Sequence, residues 1–195
     1  KISDSPSFST TDRELIVSLE SAVSGLDLKI SRKNQNDYVI TNTTGRGKIQ
    51  GGIIAPNLLS RALRSLDLAG TKSSTKFIPK IYLYNSAEVR ISLLQGLLDT
   101  DGGPVTQSGR SCRIQYSTTS MQLKDDVVFL VRSLGGVVYW RKRKAEGRKP
   151  GFANGRPVPC KTDSYVLDIR LPESIKPFRL KRKAVIYEKH GAGRP

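Results

Sequence analysis

Two carboxylates stand where a helix should reject them. Residues 93–102 read Leu-Leu-Gln-Gly-Leu-Leu-Asp-Thr-Asp-Gly. Asp99 and Asp101 fall in the last turn of the helix this pattern predicts, where the dipole is negative and acids are disfavoured. A bound hard cation would offset that cost. A C-cap turn with solvated aspartates is the other reading. Other site chemistries are poorly supplied. His190 is the lone histidine, which argues against zinc clusters and paired-histidine nucleases. No Ser-His-Asp set or phosphate-binding glycine loop is present.

The helix that must carry these acids is well marked. Asn85 is a candidate N-cap, and Glu88 three residues later completes a capping box. Ala87, Ile91, Leu94 and Leu98 fall on one face, with Leu93 and Leu97 on a second, so the helix is expected to be buried on two sides. Gly96 costs about 1 kcal/mol against alanine in a helix interior, yet it admits another backbone. Gly102 is expected as the residue that ends the helix.

The 195 residues suffice for one domain with a core, or two small repeats. Lys and Arg number 33 against 17 acids, a formal net charge of +16. That is an electrostatic footprint for nucleic acid. No basic amphipathic helix or long apolar run points to a membrane. Cys112 and Cys160 form no disulfide framework and no signal peptide is visible, so an intracellular, cytoplasmic setting is expected.

In chain order, a helix is predicted from Asp12 to Ser24, strands over 28–31 and 38–41, and a Gly- and Thr-rich loop over 43–52. A second helix should open at Pro56 and run to Leu66. The organising helix follows a polar linker over 70–75. After Gly103 the pattern returns. Phe8 and Tyr116, and Leu15 and Leu123, share one offset of 108 residues. A helix over 121–134 follows, then a strand over 137–143, a long loop over 144–163, a strand over 165–170, and a short final helix over 177–183. The chain thus reads as two α/β repeats of order strand, helix, strand, strand, helix. Repeats of this size imply pseudosymmetry rather than a solenoid.

The string Leu94 to Gly102, LQGLLDTDG, resembles the LAGLIDADG motif of homing endonucleases, matching at Leu94, Gly96, Leu97, Asp99, Asp101 and Gly102. The resemblance implies an α+β fold, a pseudo-twofold pair of αββαββα-like repeats with a saddle-shaped, DNA-binding antiparallel sheet. Residues 1–80 would form the first repeat and 81–195 the second. Leu94, Gly96 and Leu97 would pack against a matching motif helix. Asp101 would be the catalytic acid and metal ligand, while Asp99, turned from it by about 200°, two steps of helical rotation, would be structural. Mg²⁺ (or Mn²⁺) suits a site of carboxylate and phosphate oxygens. Such a metal lowers the pKa of a bound water and neutralises charge on the phosphate.

Lys76-Phe77-Ile78-Pro79, Leu130 to Gly136, Leu171-Pro172 and Pro177 to Lys183 are similar to the endonuclease domains of bacterial inteins. By that similarity Lys76, 25 residues before Asp101, would polarise the water or stabilise developing charge. Its second-repeat counterpart could be Lys176, Lys181 or Lys183. Terminal splicing residues are absent. The repeat offset puts the partner of Asp101 before Lys1, so the first repeat's motif helix is expected upstream of this numbering. A pseudo-symmetric monomer is favoured over a homodimer.

On the strand after Asp101, Cys112, Ile114 and Tyr116 should point one way, and Arg113, Gln115 and Ser117 the other. Arg with Gln suits base-edge reading. Arg110 is placed with them. Arg141, Lys142, Arg143, Lys144, Arg148 and Lys149, with Arg46 and Lys48 in the first half, suit phosphate contact. The expected function is site-specific double-strand cleavage at a long asymmetric DNA site. A catalytically inactive DNA-binding or structural remnant is the alternative.

Overall fold

The computed structural model describes residues 5–43, 57–107, 110–153 and 155–190. The chain divides into two compact units, residues 1–70 and 71–195.

The first unit follows the predicted order. It holds β1 (Ser7–Ser9), α1 (Arg13–Val23), β2 (Leu28–Arg32), β3 (Asp37–Asn42) and α2 (Leu58–Ser65). The strands form an antiparallel sheet of order β1-β3-β2. Val23, Leu28 and Ile40 make its small core, with Phe8, Ile30 and Leu59 packed against them. Helix α2 begins after Pro56, because Asn57 is its cap. The Asn57 side chain accepts from the Ser60 amide at 3.0 Å and donates to the Ile40 carbonyl at 3.0 Å. One residue thereby caps the helix and ties it to the sheet.

The second unit holds α3 (Lys80–Leu83), α4 (Ala87–Asp101), β4 (Gly102–Gln107), β5 (Arg110–Thr118), α5 (Met121–Ser133) and β6 (Val137–Arg143). It continues with β7 (Gly151–Ala153), β8 (Arg156–Val158), β9 (Ser164–Arg170) and α6 (Lys181–Lys189). Its main sheet is antiparallel, of order β4-β5-β9-β6. From β5 onward this unit repeats the first. Strand, helix, strand, strand, helix recur, and β5-β9-β6 copies the spatial order β1-β3-β2. What the second unit adds at its start is α3, α4 and β4.

Several expectations need correction. Helix α4 is capped by Ser86, whose hydroxyl accepts from the Val89 amide, while Asn85 accepts from the Ser86 amide. Gly102 ends the helix in extended backbone, φ −106° and ψ 178°, rather than in a left-handed turn. The chain therefore passes from α4 into β4 with no intervening loop. A Cβ at Gly102 would lie 2.9 Å from the Leu98 Cα, so glycine serves close approach there. The loop over 144–163 contains the β7–β8 hairpin. The final helix starts at Lys181 rather than Pro177, and extends to Lys189.

The core lies between the main sheet and its helices. Leu94 and Leu98 of α4, Val127 and Leu130 of α5, Ile114 and Tyr116 of β5, and Leu167 and Ile169 of β9 are all buried. Gly136 marks a tight point beneath it. A Cβ there would meet the Arg170 carbonyl oxygen at 2.8 Å and a Val131 methyl at 2.8 Å. Gly136→Ala is therefore expected to destabilise the unit by about 1–3 kcal/mol, the usual cost of overpacking, read as a lower denaturant midpoint at unchanged slope.

Candidate active site

The end of α4 is built by two polar locks. Asp99 is buried, and its carboxylate accepts from the backbone amides of Arg179 at 3.0 Å and Leu180 at 3.3 Å. Those amides lead into α6, so an acid disfavoured at one helix's C-terminus sits at another's N-terminus, where the dipole favours it. The Lys183 ammonium, also buried, donates to the carbonyls of Leu98 at 2.9 Å, Asp99 at 2.6 Å and Gly102 at 2.6 Å. A cation thus satisfies the orphan carbonyls that end α4. Gln95 and Ser92, one and two turns back, bind Arg179 at 2.8 and 3.0 Å. The offset for Asp99 is therefore a helix terminus and a lysine, where the sequence left a cation or solvent open.

Asp101 follows the other course. It is exposed and lines a cleft of about 220 Å³ together with Lys76, Tyr116, Ser117, Thr118 and Thr119. Sheet register brings it there: Gly102 pairs with Tyr116, so the residue before Gly102 stands beside Ser117. Burial first, and the Asp101 charge second, push the Tyr116 hydroxyl above its usual pKa. Tyr116 therefore stays protonated across the neutral range.

Lys76 reaches the cleft on a strap pinned to α5. Ser120, the α5 N-cap, accepts from the Leu123 amide and donates its hydroxyl hydrogen to the Lys76 carbonyl at 2.6 Å. Asp126 accepts from the Ile78 amide at 2.8 Å and from Gln122 at 2.8 Å. Sequence reasoning missed Asp126. Its mark was an acid on the apolar side of a helix, buried beside Val127.

The donor set fits a hard divalent ion as a half-site. Among the described residues no group of three or more His, Cys, Asp or Glu could hold a metal. Asp101 offers one carboxylate, and the cleft otherwise offers hydroxyls. Mg²⁺ commonly binds through one or two carboxylates plus waters and phosphate oxygens.

The predicted outer face of the sheet forms as expected. Cys112, Ile114 and Tyr116 are buried, while Arg113 and Gln115 are partly exposed and Ser117 is exposed. Arg141, Lys142, Arg143, Lys144 and Lys149 are exposed, and Arg148 is partly so. Some of these charges already have partners. Lys142 pairs with Asp163 at 2.9 Å, which raises the lysine pKa and lowers that of the acid. Arg148 donates to the Ser164 hydroxyl at 3.2 Å. Arg46 and Lys48, and the side chain of Arg110, lie outside the described residues.

The candidate interface residues of α4 separate. Leu94 is buried in the unit's own core, whereas Leu97 is only partly buried. Gly96 is open, with nothing within 4 Å of an added Cβ. Of the three candidate second lysines, Lys183 is committed to main-chain carbonyls.

A helix that runs into an antiparallel sheet and sets an acid beside a cleft, under a sheet face rich in basic residues, defines an α+β protein. The comparisons narrow the class. Residues 88–179 match the LAGLIDADG-like domain. A solved structure of a mesophilic variant of the homing endonuclease I-DmoI is similar over 95% of this chain and 82% of that one, at 14% identity and a TM-score of 0.51. Over 131 residues the chain is 33% identical to the replicative DNA helicase DnaB of Mycobacterium intracellulare. That match takes in 67% of this chain but 19% of the helicase, so the chain spans about a fifth of its curated relative. The chain thus carries a LAGLIDADG-like domain over residues 88–179, and its fold is that of the LAGLIDADG homing endonucleases. No described helix is long and apolar enough to cross a membrane.

Proposed function

We propose that the protein is a site-specific double-strand DNA endonuclease that uses a divalent metal, Mg²⁺ or Mn²⁺. The observation that carries this reading is the single cleft holding both Asp101 and Lys76, residues 25 apart in sequence. Asp101 would hold the cation, whose chemistry is to acidify a bound water and neutralise the phosphate. Lys76 would stabilise the charge that develops on the phosphate. Tyr116 would donate a hydrogen bond within the same cleft. The outer face of the sheet would read bases, and the basic residues at the end of β6 and in the following loop, Lys142 to Lys149, would grip phosphates.

The fold supports two repeats in one chain, with the open Gly96 face of α4 receiving a second motif helix. An intein origin is part of the proposal. The match to one-fifth of a replicative helicase supports a segment inserted into that type of host protein.

A second reading, a DNA-binding remnant that no longer cuts, is favoured by one observation. Asp101 is the only carboxylate lining the described cleft.

Binding separates these readings from everything else. With a net charge of +16, affinity for a mixed-sequence duplex should fall steeply with salt. Six phosphate contacts correspond to a loss of about a thousandfold between 50 and 200 mM. A flat salt response, or no binding at low salt, would overturn both. Mg²⁺-dependent cleavage then distinguishes the endonuclease from the remnant.

A further inference from the structure

Asp168 is an acid at the middle of a face that should attract phosphate. Strand β9 lies between β5 and β6. Asp168 pairs in register with Gln115 on one side and Tyr139 on the other. Its side chain points away from the core that Leu167 and Ile169 enter. Three partners converge on it. Arg141 donates to Oδ2 at 3.0 Å, and Gln115 donates through Nε2 to Oδ1 at 3.3 Å. Arg113 places Nε 3.2 Å from Oδ1, a charge contact outside hydrogen-bond geometry.

Such an acid is a liability on a surface built only to hold phosphate. It repels the backbone and neutralises one of two arginines. It has two compensating effects. It holds both guanidinium groups beside it, Arg141 by a hydrogen bond and Arg113 by charge, and takes only part of their donor sets. It also occupies an amide hydrogen of Gln115, so the Gln115 side-chain oxygen is the end that Asp168 does not take. Fixed forks with defined donors and acceptors suit base edges, whereas phosphate needs only charge.

We infer that Asp168 is a specificity-determining positioning residue, which sets Arg113 and Arg141 as base-reading forks and weakens their use as phosphate grips. The inference rests on the DNA-binding reading above. The recognised groups are guanine O6 and N7, the usual partners of an arginine fork in the major groove. Arg113 lies two residues before Gln115, and Arg141 two after Tyr139, so they approach Asp168 from opposite ends of its neighbouring strands. Both guanidinium groups reach the same carboxylate, so the two readings should fall within about two base-pair steps.

The test uses the whole chain, a pool of randomised duplexes sequenced after selection, and one mixed-sequence duplex titrated at several salt concentrations. The parent protein should select guanine at two positions within about two base-pair steps of each other. Asp168→Asn, close in shape, should weaken those two preferences by about tenfold each. It should also bind the mixed-sequence duplex more tightly, with a steeper salt slope. Arg141→Lys keeps the charge and loses the fork, at a side chain 59% exposed, so folding is not at risk. It should erase one preference and leave the salt slope unchanged. If Asp168→Asn matches the parent in preference and in salt slope, the inference is wrong while DNA binding stands. If Arg141→Lys keeps both preferences, it is equally wrong. If the parent binds no duplex at low salt, the DNA-binding reading itself fails.

Discussion

Asp101→Asn is expected to slow Mg²⁺-dependent cleavage of duplex DNA by about a thousandfold or more, with binding nearly unchanged. The measurement is single-turnover cleavage beside a binding titration. The amide preserves shape and removes the charge that a hard cation requires. Several kcal/mol of transition-state charge stabilisation depend on that cation, and each 1.36 kcal/mol is a tenfold rate change. Folding should survive, since Asp101 is exposed and the change removes a negative charge from a helix C-terminus. Asp99→Asn makes the contrast. Asp99 accepts from two backbone amides, so its loss should appear in stability first. Equal cleavage by Asp101→Asn and the parent would remove Asp101 from the proposed chemistry.

The second large effect is expected at Lys183. Replacing it with methionine leaves three carbonyls, those of Leu98, Asp99 and Gly102, without the ammonium that bonds them. A buried polar group left unsatisfied costs about 1–3 kcal/mol. Relaxation and water entry recover part of the sum, so a total near 3 kcal/mol is the expectation, read from urea unfolding. Lys176→Met, at an exposed position, should change stability by less than about 0.5 kcal/mol. If the two variants unfold alike, Lys183 does not hold the end of α4.

The comparison of Asp99, Asp101 and Lys183 shows where the sequence could be read and where it could not. The body of α4, the strands over β5, β6 and β9, and the alternation that buries Ile114 and exposes Ser117 follow from periodicities of 3.6 and 2. These are local, and one stretch of chain carries them. The repeat was visible because Phe8 and Tyr116 lie on matching strands and Leu15 and Leu123 lie on matching helices.

The locks were not legible in the same way. Lys183 reaches Gly102 across 81 residues, and Asp99 reaches Arg179 across 80. In sequence, Lys183 is one cation in a basic string, and nothing local distinguishes a buried ammonium from a solvated one. The same holds for Asp168, whose three partners lie on two other strands. The cap of α4 moved by one residue because Asn85 and Ser86 are both competent caps. Asn85 instead binds the Ser86 amide and the Ile81 carbonyl, a choice set by the short α3 helix that the sequence reading lacked.

Helix α4 runs into β4 at Gly102 without a loop. Loops are where proteins ordinarily absorb movement, and here none lies between Asp101 and the sheet. The acid rides on a rigid arm whose other end is the surface that would meet the duplex. Curvature imposed on the sheet therefore transfers to the carboxylate instead of dissipating. A duplex that bends easily and one that resists could then occupy the face with similar affinity yet set the acid at different distances from the phosphate. DNA stiffness, which depends on sequence at positions a protein never touches, would be read out in this molecule as a cutting rate.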